Sequence, residues 1–254
     1  MDRKFLIGLG LAAAITVSAM GQGVDDILAK YINARGGMDK LLAVKSMRYS
    51  GTMTVGVGTE APMVIEQKRP GSMRLEFTVQ GMTGIQAYDG KTGWMIMPFM
   101  GKSEPEIMGA EDLKGAVEQA DFDGPLVNYR QKGHQVELAG KENIDGKAAI
   151  KLKVTLKGTG VHYTYLDTES YLPFKETSKR SIQGVERDVE TLIGDYKSVS
   201  GLMIAHSIES TAKGVALRQK VTITKVELNP VLDDSRFAMP KPAKEVKPPA
   251  AKKP

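Results

Sequence analysis

Short alternating runs dominate this chain. Met73, Leu75, Phe77 and Val79 fall on one side of a two-residue period, and Arg74, Glu76, Thr78 and Gln80 fall on the other. Such a run predicts a strand with one buried face and one wet face. Ile150, Leu152, Val154 and Leu156 repeat the pattern against Lys151, Lys153, Thr155 and Lys157. Leu202, Ile204 and Ile208 continue it, with His206 in the same register. Turn signals separate the strands at Pro70-Gly71, Asp89-Gly90, Asp145-Gly146 and Ser200-Gly201. Asp-Gly favours the tight turns that join antiparallel strands, so the pattern predicts an antiparallel meander.

Two stretches keep a different period. Ile27, Leu28, Tyr31 and Ile32 recur at helical spacing, which predicts a helix over residues 24–35 ended by Gly36-Gly37. Asp39 is placed to cap a second short helix through Leu41, Leu42 and Val44. In mid-chain, Leu113, Ala116, Val117 and Ala120 are spaced for a helix over 110–121, and 123–132 follows without alternation. One or two helices inserted into the sheet are expected there.

Composition sharpens this outline at the two ends. Arg3 and Lys4 precede an apolar run over residues 5–17, followed by the small residues Ser18, Ala19 and Gly21. This has the three-part form of a secretory signal, with cleavage expected near Ala19 or Gly21. The run is short of the about 20 residues that a membrane span needs. The chain contains no cysteine. An exported chain of this kind relies on core burial rather than disulfides, and carries no cysteine-linked lipid. The net charge of +5 sits at the ends: the start and the lysine-rich tail 240–254 account for it, and the body is neutral. A neutral body offers no electrostatic case for nucleic acid. The tail is rich in Pro, Lys and Ala and has almost nothing to bury, so it is expected to be disordered or extended. The domain plan is therefore a signal over 1–21, one domain over 22–239 and a tail over 240–254.

Candidate chemistry is sparse. His134, His162 and His206 have no second ligand at metal spacing, so no metal site is expected. Gly84 to Thr92 resembles a phosphate loop only superficially, because five residues separate its glycines where the motif has four. It is read as a hairpin turn. There is no Gly-x-Ser-x-Gly elbow. The carboxylate pairs Asp121/Asp123 and Asp233/Asp234 have no spacing that fixes an acid–base role, and Asp233-Asp234-Ser235 reads as a turn or cap. No cofactor is expected and the chain is read as a non-enzyme. Methionine is the unusual feature: ten of fourteen lie between Met38 and Met108. Methionine fills irregular cores, and it also lines surfaces that adapt to apolar partners.

Four motifs, taken in order, resemble the periplasmic lipoprotein-carrier superfamily, the LolA/LolB-like outer-membrane lipoprotein-sorting proteins. Tyr31-Ile32-Asn33-Ala34-Arg35-Gly36-Gly37 through Lys45-Ser46-Met47-Arg48-Tyr49-Ser50-Gly51-Thr52 is similar to that family's N-terminal helix and first strand. Tyr88-Asp89-Gly90-Lys91-Thr92-Gly93-Trp94 is similar to its central hairpin. Tyr165-Leu166-Asp167-Thr168-Glu169-Ser170-Tyr171-Leu172-Pro173-Phe174-Lys175 is similar to its strand, acidic turn and returning strand. Val226-Glu227-Leu228-Asn229-Pro230-Val231-Leu232-Asp233-Asp234-Ser235-Arg236-Phe237 is similar to its closing strand and terminal phenylalanine. The resemblance implies a mainly β (α+β) fold, a curved antiparallel sheet forming an incomplete β-barrel. The N-terminal and mid-chain helices would plug its concave side. It also implies a soluble periplasmic carrier of a lipid or lipoprotein acyl chains, working between an inner-membrane transporter and an outer-membrane acceptor. The expected lining is Met53, Val55, Met73, Leu75, Phe77, Trp94, Ile96, Met97, Phe99 and Met100. The alternation already divides this set, because Met95 and Met97 lie opposite Trp94 and Ile96. An envelope-stress sensor of the same fold and a periplasmic hydrolase are the alternative functions.

Overall fold

A computed structural model describes residues 16–241, apart from 56, 57, 183 and 217. Two helices, α1 (Thr16–Ala34) and α2 (Met38–Ala43), lead into six strands. These are β1 (Ser46–Val55), β2 (Thr59–Lys68), β3 (Ser72–Val79), β4 (Met82–Tyr88), β5 (Gly93–Met97) and β6 (Lys102–Ile107). Helix α3 (Ala110–Ala120) interrupts the meander. The chain then adds β7 (Gln135–Ile144), β8 (Lys147–Leu156), β9 (Gly160–Asp167) and β10 (Pro173–Ile182). It ends with β11 (Val185–Val199), β12 (Leu202–Ala212) and β13 (Arg218–Leu228).

All thirteen strands form one curved, open antiparallel sheet, an incomplete β-barrel with helices. Its order is β6-β5-β4-β3-β2-β1-β13-β12-β11-β10-β9-β8-β7. Every neighbouring pair is consecutive in the chain except β1 and β13, which join the two halves. The free edges are β6 and β7, where α3 intervenes. Lys102, Glu104, Pro105 and Glu106 on β6 make that edge a poor template for further pairing.

The helices cover one face, here called inner. Val24, Leu28 and Tyr31 of α1 bury against Leu152 and Val154 of β8 and Leu202 of β12. Ala116 and Ala120, one turn apart on α3, bury against Met73, Leu75, Phe77 and Met97. Alanine at both positions lets the helix lie close to the sheet. Where β1 meets β13 the register shifts between Ser50 and Gly51. A Cβ at Gly51 would collide with the carbonyl oxygen of Thr222, so this crossing requires glycine.

The outer face is covered differently. Residues 229–237 run across it as a strap. Asn229 N donates to Ser46 O (2.8 Å), Lys68 Nζ donates to Leu232 O (2.8 Å) and Trp94 Nε1 donates to Phe237 O (2.7 Å). Arg74 Nη1 also donates to Arg236 O (2.8 Å). Beneath the strap, Glu66 accepts from Arg48 Nε (2.9 Å) and Arg236 Nε (2.6 Å). Asp233 caps the final 3-10 turn, accepting from Ser235 N at 2.8 Å, which agrees with its reading as a cap.

Two local expectations are corrected and a third is narrowed from its two alternatives to one. Helix α1 starts at Thr16, earlier than residue 24, and so crosses the expected cleavage positions. Residue Gly37, with φ 93°, stands before α2, and no side chain caps it; Asp39 lies in the first turn, where its charge favours the helix dipole. After α3 the segment 121–134 is a series of turns rather than a second helix. The rest of the expected signal, residues 1–15, and the tail 242–254 lie outside the described residues.

Candidate functional site: two cavities on the inner face

Strand register aligns inner-face side chains in rows. Tyr49, Ile65, Leu75 and Gln86 form one row across β1 to β4, and Gly51, Met63, Phe77 and Gly84 form the next. The absence of a side chain at Gly84 leaves room for the Phe77 ring, whose centroid lies 5.5 Å from that of Phe99. These rows and the inner faces of β11 to β13 bound a cavity of about 740 Å³. The far wall includes Ile193, Ile204, Ile208, Val221 and Ile223; Tyr31 and Arg35 close it from the α1 side, and Gln119 and Phe122 from the α3 side. Met47, Met53, Met63 and Met203 also line it, so flexible thioethers stand on both halves of the sheet.

The sequence-derived lining divides into three groups. Met53, Val55, Leu75 and Phe77 line the cavity. Met73 and Met97 share the inner face but are sealed under α3, while Phe99 packs half-buried against Phe77. Trp94, Ile96 and Met100 lie elsewhere. Trp94 stands in the outer row Arg48–Glu66–Arg74–Ala87–Trp94, and Ile96 in the row Val64–Glu76–Ile85–Ile96. Met100 is 67% exposed beyond β5. The phase of β5 decides this: Met95, not Trp94, pairs with the inner residue Gln86.

Sequence reading missed the polar part of the lining. Arg35 falls four residues after Tyr31 and seven after Leu28, on the same stripe of helical positions, just past the end of α1. A charge continuing an otherwise apolar helix stripe is the signal that could have revealed it. Its Nη1 donates to Tyr31 Oη (3.0 Å) and to the Asp123 carbonyl oxygen (2.6 Å). The carboxylate of Asp123 is occupied by Arg69, which donates to both oxygens at 2.6 Å. Burial opposes the Arg35 charge, but Tyr31, Tyr49 and Tyr196 outweigh it and raise its pKa. Burial pushes the Tyr49 hydroxyl up to about 12, against the pull of Arg35. That hydroxyl donates to the Met47 sulfur at 2.7 Å.

A second cavity, of about 1040 Å³, lies between α3 and β9 to β12 and shares Gln119, Ser210 and Gln219 with the first. Its lining is far more charged. Glu118 of α3 pairs with Arg180, and Lys132 with Asp121 at 2.7 Å. Burial lowers the pKa of His162 despite the nearby Glu118, with Arg180 adding to the effect. Burial also raises the pKa of Glu176, which Arg180 opposes. The concave face therefore grades from Ile193, Ile208 and Val221 through Thr191 and Ser210, whose hydroxyls lie 2.9 Å apart, to ion pairs. Among the described residues, no group of three or more His, Asp or Glu is placed to hold a metal ion.

A curved antiparallel sheet carrying helices and a cavity on its inner face is the LolA-like fold. The structure is similar to a DUF1329 family protein from Desulfovibrio piger, with a TM-score of 0.59 and 11% identity over 85% of this chain and 97% of that one. It is similar to a LolA superfamily protein from Nitrosomonas europaea, with a TM-score of 0.58 and 14% identity over 85% and 97%. An outer membrane lipoprotein-sorting protein domain from Vibrio parahaemolyticus gives 0.60 and 13% over 86% and 97%. No family model and no curated protein sequence matches the chain.

Proposed function

We propose that this protein is a periplasmic carrier that takes up an acyl chain of a lipid or lipoprotein in the first cavity and releases it without chemistry. The observation that carries this reading is the 740 Å³ apolar cavity between a curved sheet and its helices. Its residues on β1 run from Met47 to Val55, a path of roughly 26 Å in an extended strand. One leaflet of a bilayer core is about 15 Å deep, so the cavity can hold a whole acyl chain. Methionines on both walls provide a surface that repacks around chains of different shape. The sorting role named for the Vibrio parahaemolyticus domain of the same fold supports this reading. The signal-like start supports export. Among the described residues, no helix is long and apolar enough to cross a membrane. An inner-membrane transporter as donor and an outer-membrane acceptor complete the proposed route.

Partition makes a quantitative test available. Each methylene removed from water contributes about 0.8 kcal/mol, or about fourfold in affinity. Displacement of a fluorescent acyl probe by a chain-length series should show this step until the cavity is full, then a plateau. Lipid extraction and native mass spectrometry of protein from its own host should find bound acyl chains. Affinity that is flat along the series, together with no extractable lipid, would end the proposal.

A further inference from the structure

We propose that Arg35 is the post for an anionic head inside the first cavity, receiving the carboxylate or phosphate oxygen of the amphiphile whose chain fills it. This rests on the carrier reading and adds a charge requirement to it. Among the described residues lining that cavity, Arg35 is the single Lys, Arg, His, Asp or Glu. A cation in such surroundings ordinarily has a carboxylate partner, because isolation in an apolar medium costs several kcal/mol. Among the described residues Arg35 has none: the carboxylate of Asp123 belongs to Arg69, and Arg35 takes only the Asp123 carbonyl. Both of its hydrogen bonds, to Tyr31 and Asp123, leave from Nη1. A guanidinium has five N–H donors in a planar fork, so the Nε and Nη2 side keeps its capacity for an oxyanion.

A second donor shares the cavity, because Tyr49 also lines it. Its hydroxyl donates to the Met47 thioether. Thioether sulfur is a weak acceptor, and a ligand oxygen would be a better one. A fork and a hydroxyl at the Met47 end of an apolar channel form a site for an amphiphile that enters chain first and leaves its charged end at α1.

The test compares three C16 ligands: palmitate, hexadecyl phosphate and uncharged hexadecanol. Each displaces a neutral fluorescent acyl probe from the wild type, Arg35→Gln and Arg35→Lys, with thermal melts as the check on folding. The wild type should bind at least one anion about tenfold or more tightly than hexadecanol. Arg35→Gln should erase that preference, and Arg35→Lys should restore part of it. Preference for palmitate identifies a free fatty acid as the source of the head, and preference for hexadecyl phosphate identifies a phospholipid. A second readout needs no variant: in the wild type, the palmitate preference should vanish as the ligand is protonated in acid. Equal binding of all three by the wild type, or a preference that survives in Arg35→Gln, overturns the Arg35 assignment while leaving the carrier reading intact. Failure of all three to bind overturns both.

Discussion

Phe237→Ala separates the two faces of the sheet experimentally. Phe237 is 1% exposed, and its carbonyl accepts from the Nε1 of Trp94, the only tryptophan, which is 0% exposed. Truncating a buried phenylalanine costs about 3–5 kcal/mol. Here the strap can peel from the outer face, so water can reach Trp94 Nε1 and no buried donor is stranded. The lower end of the range, about 3 kcal/mol, is therefore expected. For a domain of this size each kcal/mol is worth about 2–4 °C, so Tm should fall by about 6–12 °C. Trp94 provides the local assay. In Phe237→Ala its emission should shift to the red in native buffer, before any global unfolding. Val231→Ala on the same strap is the control: Val231 is 98% exposed, and the change should stay within about 0.5 kcal/mol. In the wild type, acyl ligand should leave the emission unchanged, because the sheet lies between Trp94 and the cavity. A spectrum unmoved by Phe237→Ala, or one that moves with ligand in the wild type, would refute this placement.

Two further predictions concern the inner face. Gly51→Ala should cost about 3 kcal/mol in urea unfolding, because the new methyl meets the Thr222 carbonyl, a backbone group that cannot rotate away. Gly71→Ala, with open space around its Cβ, should be neutral to slightly stabilising. Glu176→Gln should raise Tm at neutral pH and change little near pH 4. Burial raises the folded-state pKa of Glu176 against the opposition of Arg180. The unfolded chain releases this proton near about pH 4.3, whereas the folded state holds it to higher pH. Stability is thus complete below that point and falls as pH rises through the folded pKa, a loss that glutamine removes. A Tm difference that is constant across pH would count against this.

Much of the sheet was legible in the sequence. The alternation in 73–79 and 150–156 marked the buried sides correctly, because a two-residue period is a property of the strand itself. Asp89-Gly90 was also correctly read as a turn: Asp89 Oδ1 accepts from the N–H of Lys91 and Thr92 at 2.9 and 2.7 Å. The lining was only partly legible. On β5 both sides are apolar, so alternation separates Trp94 and Ile96 from Met95 and Met97 without saying which pair faces the helices. That choice belongs to the 229–237 strap, which covers the Trp94 side from more than a hundred residues away. Arg35 was missed for a related reason: its isolation depends on Arg69 having already taken Asp123.

The sequence by itself determined the strands, their turns, the helical spacing around α1 and α3, and the likeness to the LolA-like fold. All of these are written in residues a few positions apart. Only the tertiary structure decided that β13 returns to β1, that α3 stands between the free edges, and that a cavity lined by the Arg35 guanidinium lies beneath the helices. Those features depend on contacts between segments far apart in the chain, and a local hydrophobic period carries no information about which distant surface will cover it.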